Sequence, residues 1–289
     1  MTVAATSLRG RLDRCAINTA TLGHRVPIAA TIDAVAQAGF GAICPWRREL
    51  EGEDVAAVAR RLRDAGLAVS GYCRSTYLPA RDAAGLAAAI DDNRRAIDDA
   101  ATLGAACFVM VVGSMPAGSR DLRRARAQVA AGTAELLRHA RAAGVRLALE
   151  PLHPLYAGDR SCLCTLAQAL DLAETLDPAP TTPPALGIAL DAYHVWWDPD
   201  LAAQIARAGA GRRLFAFHVC DWLVPTRDLL TDRGMMGDGV VDLPALRAMV
   251  EAASYDGLVE VEIFSSADWW RRPIAETLAV CAERLETVC

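Results

Sequence analysis

The 289-residue chain is 53% apolar and 22% charged, enough for one large core, and its net charge of −5 argues against a nucleic-acid partner. All 30 basic side chains are arginines, so Schiff-base chemistry on a protein lysine is excluded. No apolar run is long enough to span a bilayer and residues 1–13 lack the apolar stretch of a signal peptide, so no membrane contact is expected and the cytoplasm is the expected compartment.

A short polar arm, residues 1–12, precedes Cys15-Ala-Ile-Asn-Thr, which reads as a first strand. Residues 31–38 repeat at helical spacing and stop at Gly39. A second strand over 41–46 leads to a helix over 54–65, and a third over 67–73 to a long helix over 83–103. The fourth strand, 107–112, precedes an Arg- and Ala-rich helix over 121–143. Strand five covers 145–150 and its helix 165–176, followed by a turn holding Pro178, Pro180, Pro183 and Pro184. Strand six ends at Asp191 before a helix over 200–208; strand seven ends at His218 before a long loop and a helix over 242–253. Strand eight ends at Glu262, and a helix over 273–288 closes the chain.

Eight strand–helix units of about 36 residues each fit a single-domain (β/α)8 TIM barrel spanning 1–289. An open doubly wound sheet normally carries a glycine-rich phosphate turn after its first strand, and Asn18-Thr-Ala-Thr-Leu-Gly-His is not one. The nine cysteines give an odd count, and Cys44, Cys73 and Cys107 sit in apolar runs, which suits reduced thiols acting as small hydrophobes. Cys162-Leu-Cys164 lacks zinc-ribbon spacing and is read as no site.

Four successive strands deliver a polar side chain at their C-terminal ends: Glu150, Asp191, His218 and Glu262. In a barrel those ends carry the active site. Three carboxylates and an imidazole form an oxygen-rich donor set suited to one divalent ion, Mn²⁺, Mg²⁺ or Co²⁺, with Zn²⁺ a further option. Each residue alone reads equally well as a cap or a solvated charge; the joint pattern is what points to a metal. Glu260 shares the parity of Glu262 and competes with it, but Glu262 lies nearer the strand end.

The segments Leu-Glu150-Pro, Asp191-Ala-Tyr-His194, Phe-His218-Val-Cys-Asp-Trp, the stretch from Asp232-Arg233 to Asp242, and Val-Glu-Val-Glu262-Ile-Phe-Ser resemble the sugar phosphate isomerase/epimerase superfamily of xylose-isomerase-like barrels. The resemblance covers nearly the whole chain. It implies that Glu150 and Glu262 bind metal and exchange protons with a substrate, and that His194 and Arg233 hold substrate oxygens. The implied reaction is isomerisation or epimerisation of a small sugar, keto-polyol or hydroxy-ketone through an enediolate. The alternative is dehydration of an inosose- or 3-dehydroshikimate-type substrate on the same site.

Two other classes fit less well. A phosphodiesterase of this fold needs a histidine-rich three-zinc cluster, and the chain has five histidines in all. A non-catalytic carbohydrate-binding barrel has no need of the Glu150/Glu262 pair. The long loop 219–241 has the length of a lid or binding loop and carries Trp222, Arg227 and Arg233. Arg233 reads as a donor to substrate or to a ligand carboxylate, Arg227 as solvated. Trp222 and His153 are further candidates for substrate contact, while Trp196 and Trp197 read equally as pocket floor or packing. The expected assembly is a homo-oligomer, dimer or tetramer.

Overall fold

The computed structural model describes residues 6–178 and 183–289. Eight parallel strands form the ring: β1 (Cys15–Asn18), β2 (Ala42–Cys44), β3 (Ala68–Val69), β4 (Phe108–Met110), β5 (Leu147–Leu149), β6 (Leu186–Asp191), β7 (Leu214–Val219) and β10 (Val259–Val261). Between the last two lies a two-stranded hairpin, β8 (Asp221–Trp222) with β9 (Arg233–Gly234). The sheet order β3-β2-β1-β10-β7-β6-β5-β4 closes through Tyr72, which pairs with Phe108 and accepts from the backbone N–H of Val109 at 3.0 Å. This is a (β/α)8 TIM barrel forming a single domain.

The helices are α1 (Ile28–Gln37), α2 (Val55–Asp64), α3 (Ala83–Leu103), α4 (Leu122–Ala143), α5 (Leu166–Leu176), a single turn α6 (Ala192–Val195), α7 (Leu201–Ala210), α8 (Leu243–Ala252) and α9 (Ile274–Thr287). Five of the longer helices start on a short polar cap. Asp54, Asp82, Asp121, Thr165 and Asp242 each accept a backbone N–H of the first turn, satisfying donors that have no partner inside the helix. Their inward stripes follow from spacing: in α4, Ala125, Val129, Leu136 and Ala140 are buried against the sheet. Cutting fully buried Leu136 back to Ala would cost about 2–5 kcal/mol.

The elements expected from sequence are all present, with boundaries shifted by a few residues. The largest difference is the third strand, expected over 67–73. Regular pairing covers Ala68–Val69 only, and Tyr72 and Cys73 rejoin as isolated bridges. Gly71 sits between them with Cys44 Sγ 3.2 Å from where a Cβ would stand, so the chain presses into the ring there. The hairpin and α6 had no counterpart in the expected element order. Residues 1–5 of the arm and Pro180 lie outside the described residues; Thr6 and Gly10 donate backbone N–H bonds to Glu251 and Glu286, tying the rest of the arm to α8 and α9.

Two apolar layers result from strand alternation. Outward-facing Ile17, Ile43, Phe108, Leu147, Leu149, Ile188, Phe217 and Val261 pack under the helices. The inner layer is made of small residues, Cys44, Cys73, Cys107, Val109, Ala148, Ala189 and Ala216, with Phe215 beside them where the β6–β7 register shifts. All nine cysteines are free thiols. No helix among the described residues is long and apolar enough to cross a membrane.

The loop after β7 is folded around Asp221, which is fully buried. Its Oδ1 accepts the backbone N–H groups of Trp222 and Val241, and its Oδ2 that of Gly237, at 2.9–3.0 Å. A side chain at Gly239 would strike Trp222 O at 2.1 Å, so only glycine permits the return of the chain there. Asp221→Ala strands buried donors and should lower unfolding free energy by about 3 kcal/mol in urea titrations. A loss under ~0.5 kcal/mol would refute this role for the carboxylate.

Candidate metal centre

Alternation and register decide which side chains meet. β7 turns Ala216 and His218 into the ring, while Phe217 and Val219 join the outer core. Pairing sets Asp191 of β6 level with His218 on one side and Glu260 of β10 level with it on the other. Glu150 and Glu262 follow the last residues of β5 and β10, with the same inward parity.

One candidate ligand atom from each of Glu150, Asp191, His218 and Glu262 lies within 4.8 Å of those of the other three. All four residues are buried. Glu150 Oε1 stands 3.4 Å and Glu262 Oε2 3.8 Å from His218 Nδ1. Glu150 Oε1 and both ring nitrogens of His218 are buried with no hydrogen-bond partner among the described residues. Orphaned buried acceptors and crowded carboxylates are both costly, and a divalent cation bonded to the cluster would relieve both. The donor set fits a metal ion on this ground.

Glu260 lies one step below Glu262. Its Oε2 accepts from Ser70 Oγ at 2.6 Å, its Oε1 from Asn18 Nδ2 at 2.8 Å, and Oε1 faces His218 Nε2 at 3.5 Å. The carboxylate that competed with Glu262 on parity thus sits on the Nε2 side of the imidazole, while Nδ1 faces Glu150 and Glu262. Burial opposes charge on His218, yet Glu260, Glu150 and Glu262 hold its pKa well above the ordinary value. Burial raises Glu262 well above the usual carboxylate range, Arg233 opposing and Glu150 adding. For Asp191 burial is outweighed, first by Arg233 and then by His194 and His218, and its pKa falls.

Arg233 is brought in by the hairpin and held by its backbone N–H to Phe264 O at 2.9 Å. Its guanidinium lies between the rings of Tyr193 and Phe264, 4.5 and 4.6 Å from their centroids. Nη1 donates to Asp191 Oδ2 at 2.9 Å and Glu262 Oε2 at 3.1 Å. A planar cation stacked on both faces is a role lysine cannot fill. His194 Nδ1 accepts the backbone N–H of His153 at 3.2 Å. Desolvation pushes the His194 pKa down to about 3, against the pull of Asp191, so the ring is neutral. Its Nε2 lies 3.6 Å from Asp191 Oδ2 and 3.3 Å from Arg233 Nη2.

A small cavity of about 190 Å³ opens onto the cluster, lined by Glu150, Glu262, His194 and Arg233 and walled by Trp46, Tyr77, Tyr156 and Phe264. It is smaller than the roughly 300–1,000 Å³ of drug-sized ligand sites. The other two substrate-contact candidates stand apart from this wall. Trp222 is buried, stacks on His153 (4.9 Å) and packs at a tilt on Tyr193 (4.7 Å), propping the α6 turn from which His194 projects. Trp196 packs against Trp222, and Trp197 against His153 while bonding His194 O. Arg227 is largely exposed and clamps Asp232. Sequence reasoning missed the aromatic walls and two cavity arginines, Arg74 and Arg160. Trp46 and Arg74 follow the ends of β2 and β3, so rim position was the available signal.

A closed ring of eight strand–helix units with a buried His/carboxylate cluster at the strand C-termini defines a TIM barrel with a candidate metal centre. Residues 32–283 match the family model described as xylose isomerase-like TIM barrel, and the chain belongs to that family. The protein SMc04130 of Sinorhizobium meliloti 1021 is 51% identical, with a TM-score of 0.92 over 96% of this chain and 99% of that one. The zinc-bound IOLI protein superimposes with a TM-score of 0.77 at 18% identity, covering 93% of this chain and 95% of its own. A D-psicose 3-epimerase solved with D-fructose gives 0.75 at 17% identity, over 94% and 96%. At such identities these two establish the fold alone. No curated protein matches the sequence.

Calorimetric titration of the metal-free protein with Mn²⁺, Co²⁺ or Zn²⁺ should give a single site per chain, abolished in His218→Ala. Glu260→Gln should weaken that site by about 10- to 100-fold while the far-UV spectrum is unchanged. Absence of a stoichiometric site for every ion tested would remove the metal centre from consideration.

Proposed function

We propose that the protein is a divalent-metal-dependent isomerase or epimerase of a small sugar, keto-polyol or hydroxy-ketone, working through an enediolate. The carrying observation is that two carboxylates of the cluster, Glu150 and Glu262, border the same small cavity as His194 and Arg233. Its kinship with xylose isomerase-like barrels supports the same reading. Held by Glu150, Asp191, His218 and Glu262, an ion such as Mn²⁺, Mg²⁺ or Co²⁺ would polarise adjacent substrate oxygens and so acidify the C–H between them.

The protein's own groups then divide the work. Oε1 of Glu150 is buried toward the cluster and would meet the ion, and the second oxygen of the same carboxylate, on a residue that lines the cavity, is the one left to accept a proton from carbon. Glu262 is fixed on both oxygens, by Asn18 Nδ2 at 2.9 Å and Arg233 Nη1 at 3.1 Å, and exchanges a proton from a defined position. Return of the proton to the opposite face of the same carbon is epimerisation; return to the neighbouring carbon is isomerisation. The neutral imidazole of His194 and the guanidinium of Arg233 border the cavity and meet substrate oxygens where charge develops. The aromatic walls exclude water from that exchange.

The test is a panel of ketoses, inososes and hydroxypyruvate in deuterated water with Mn²⁺, Co²⁺ and Mg²⁺, read by NMR and mass. Deuterium incorporation without loss of water is expected, whereas loss of water would make the enzyme a dehydratase. Glu150→Gln and Glu262→Gln should each slow exchange by about 10²–10⁴-fold, with bound metal quantified in each variant. Undiminished exchange in Glu150→Gln, or full turnover after chelation, would sink the reading.

A further inference from the structure

Two further cations border the cavity. Arg74 follows the end of the third strand segment and Arg160 lies on the loop after β5, and both line the cavity beside Glu150 and Glu262. Three other arginines of this rim are paired with acids, Arg233 with Asp191 and Glu262, Arg47 with Asp92 at 2.8 Å and Arg272 with Asp268 at 2.6 Å, whereas Arg25 and Arg271 donate to backbone carbonyls away from the cavity. Among the described residues no carboxylate lies within 4 Å of the Arg74 guanidinium, which donates only to Ser75 O at 3.3 Å. Arg160 has Asp159 Oδ2 at 4.0 Å, beyond hydrogen-bonding distance, on a side chain that is 72% exposed.

Both guanidiniums are set against aromatic faces. The Arg74 Cζ is 4.7 Å from the Tyr77 ring centroid, and the Arg160 Cζ 5.8 Å from that of Tyr156. Tyr77 and Tyr156 pack on one apolar patch, Val111 with Leu152, which is also part of the cavity wall. The two cations therefore flank the same patch, with their charges unspent inside a pocket lined by no acid other than Glu150 and Glu262.

Charge bookkeeping gives the consequence. With a divalent ion bound, the negative charges of Glu150, Asp191, Glu262 and Glu260 exceed those of the ion and Arg233 by one. Arg74 and Arg160 add two positive charges at the cavity wall, offset only by the exposed Asp159 at 4.0 Å from Arg160, which does not line the cavity. We propose that the substrate carries an anionic group, carboxylate or phosphate, and that Arg74 and Arg160 bind it beside Val111 and Leu152. This names a substrate class for the reaction proposed above and rests on that reading. The guanidinium fork suits either oxyanion, and the small cavity limits the remainder of the molecule to a short carbon chain.

The experiment uses the full chain loaded with Mn²⁺, the metal content being measured first. Binding of three matched probes is followed by calorimetry: neutral dihydroxyacetone, hydroxypyruvate as the carboxylate, and dihydroxyacetone phosphate as the phosphate. At least one anion should bind about tenfold or more tightly than the neutral probe, and which one does so identifies the oxyanion. Arg74→Gln and Arg160→Gln should each erase about tenfold of that preference while leaving Mn²⁺ affinity and dihydroxyacetone binding unchanged. Affinities no better for either anion than for the neutral probe, including no measurable binding of any, overturn the proposal, as does a preference that survives both substitutions. Failure to hold Mn²⁺ at all would instead strike the metal-dependent reading, and the anion preference would still be measurable in the metal-free chain.

Discussion

The constraint on which this molecule turns is the burial of four carboxylates, Glu150, Asp191, Glu260 and Glu262, within one ring of strands. Each isolated charge moved from water into such an interior costs several kcal/mol even after relaxation. The surroundings are arranged to offset that cost. Asn18 donates to both Glu260 and Glu262, Ser70 to Glu260, and Arg233 to Asp191 and Glu262. The small inner layer of cysteine and alanine lets the strand ends approach closely enough for these bonds to form. Even the hairpin after β7 answers the same need, because it carries Arg233 inward and is itself pinned by Asp221.

Much of this was legible from the chain because strands obey a strict period of two. A residue at a strand end and those two positions before it share a face, so Glu150, Asp191, His218 and Glu262 could be assigned to one rim from apolar runs alone. Helix starts were equally readable, since Asp54, Asp82, Asp121 and Thr165 stand where a cap is required. Parity could not rank Glu260 against Glu262. Nearness to the strand end favoured Glu262, and the register between β10 and β7, which sets Glu260 level with His218, is what places the two carboxylates at different depths.

What stayed hidden is assembled from residues far apart in sequence. The guanidinium of Arg233 is sandwiched by Tyr193 and Phe264, contributed by the segments after β6 and β10. Trp222 and His153 read as substrate contacts because they lie on rim loops, but their rings stack on each other. An aromatic side chain on a loop carries no local mark of whether its face meets a neighbour or the cavity. The same holds for Arg74 and Arg160, whose place on the cavity wall can be seen only once the strand ends are placed around one opening.

The absence of lysine gives the charge balance its character. A buried lysine can shed its proton and fall silent, whereas a guanidinium keeps its charge under all ordinary conditions. With Arg233 as the cation inside the cluster, adjustment to burial must come from the acids and from His218 instead. The hydrogen bonds distribute that adjustment unevenly. Asp191 is committed on both oxygens, to Tyr193 N and to Arg233, and Glu262 likewise to Asn18 and Arg233. Glu150 has an oxygen with no such commitment. The carboxylate of the cluster with the fewest hydrogen bonds is therefore the one whose strand, β5, also leads into the loop carrying Arg160, so the site's least anchored acid and one of its wall cations share one segment of chain.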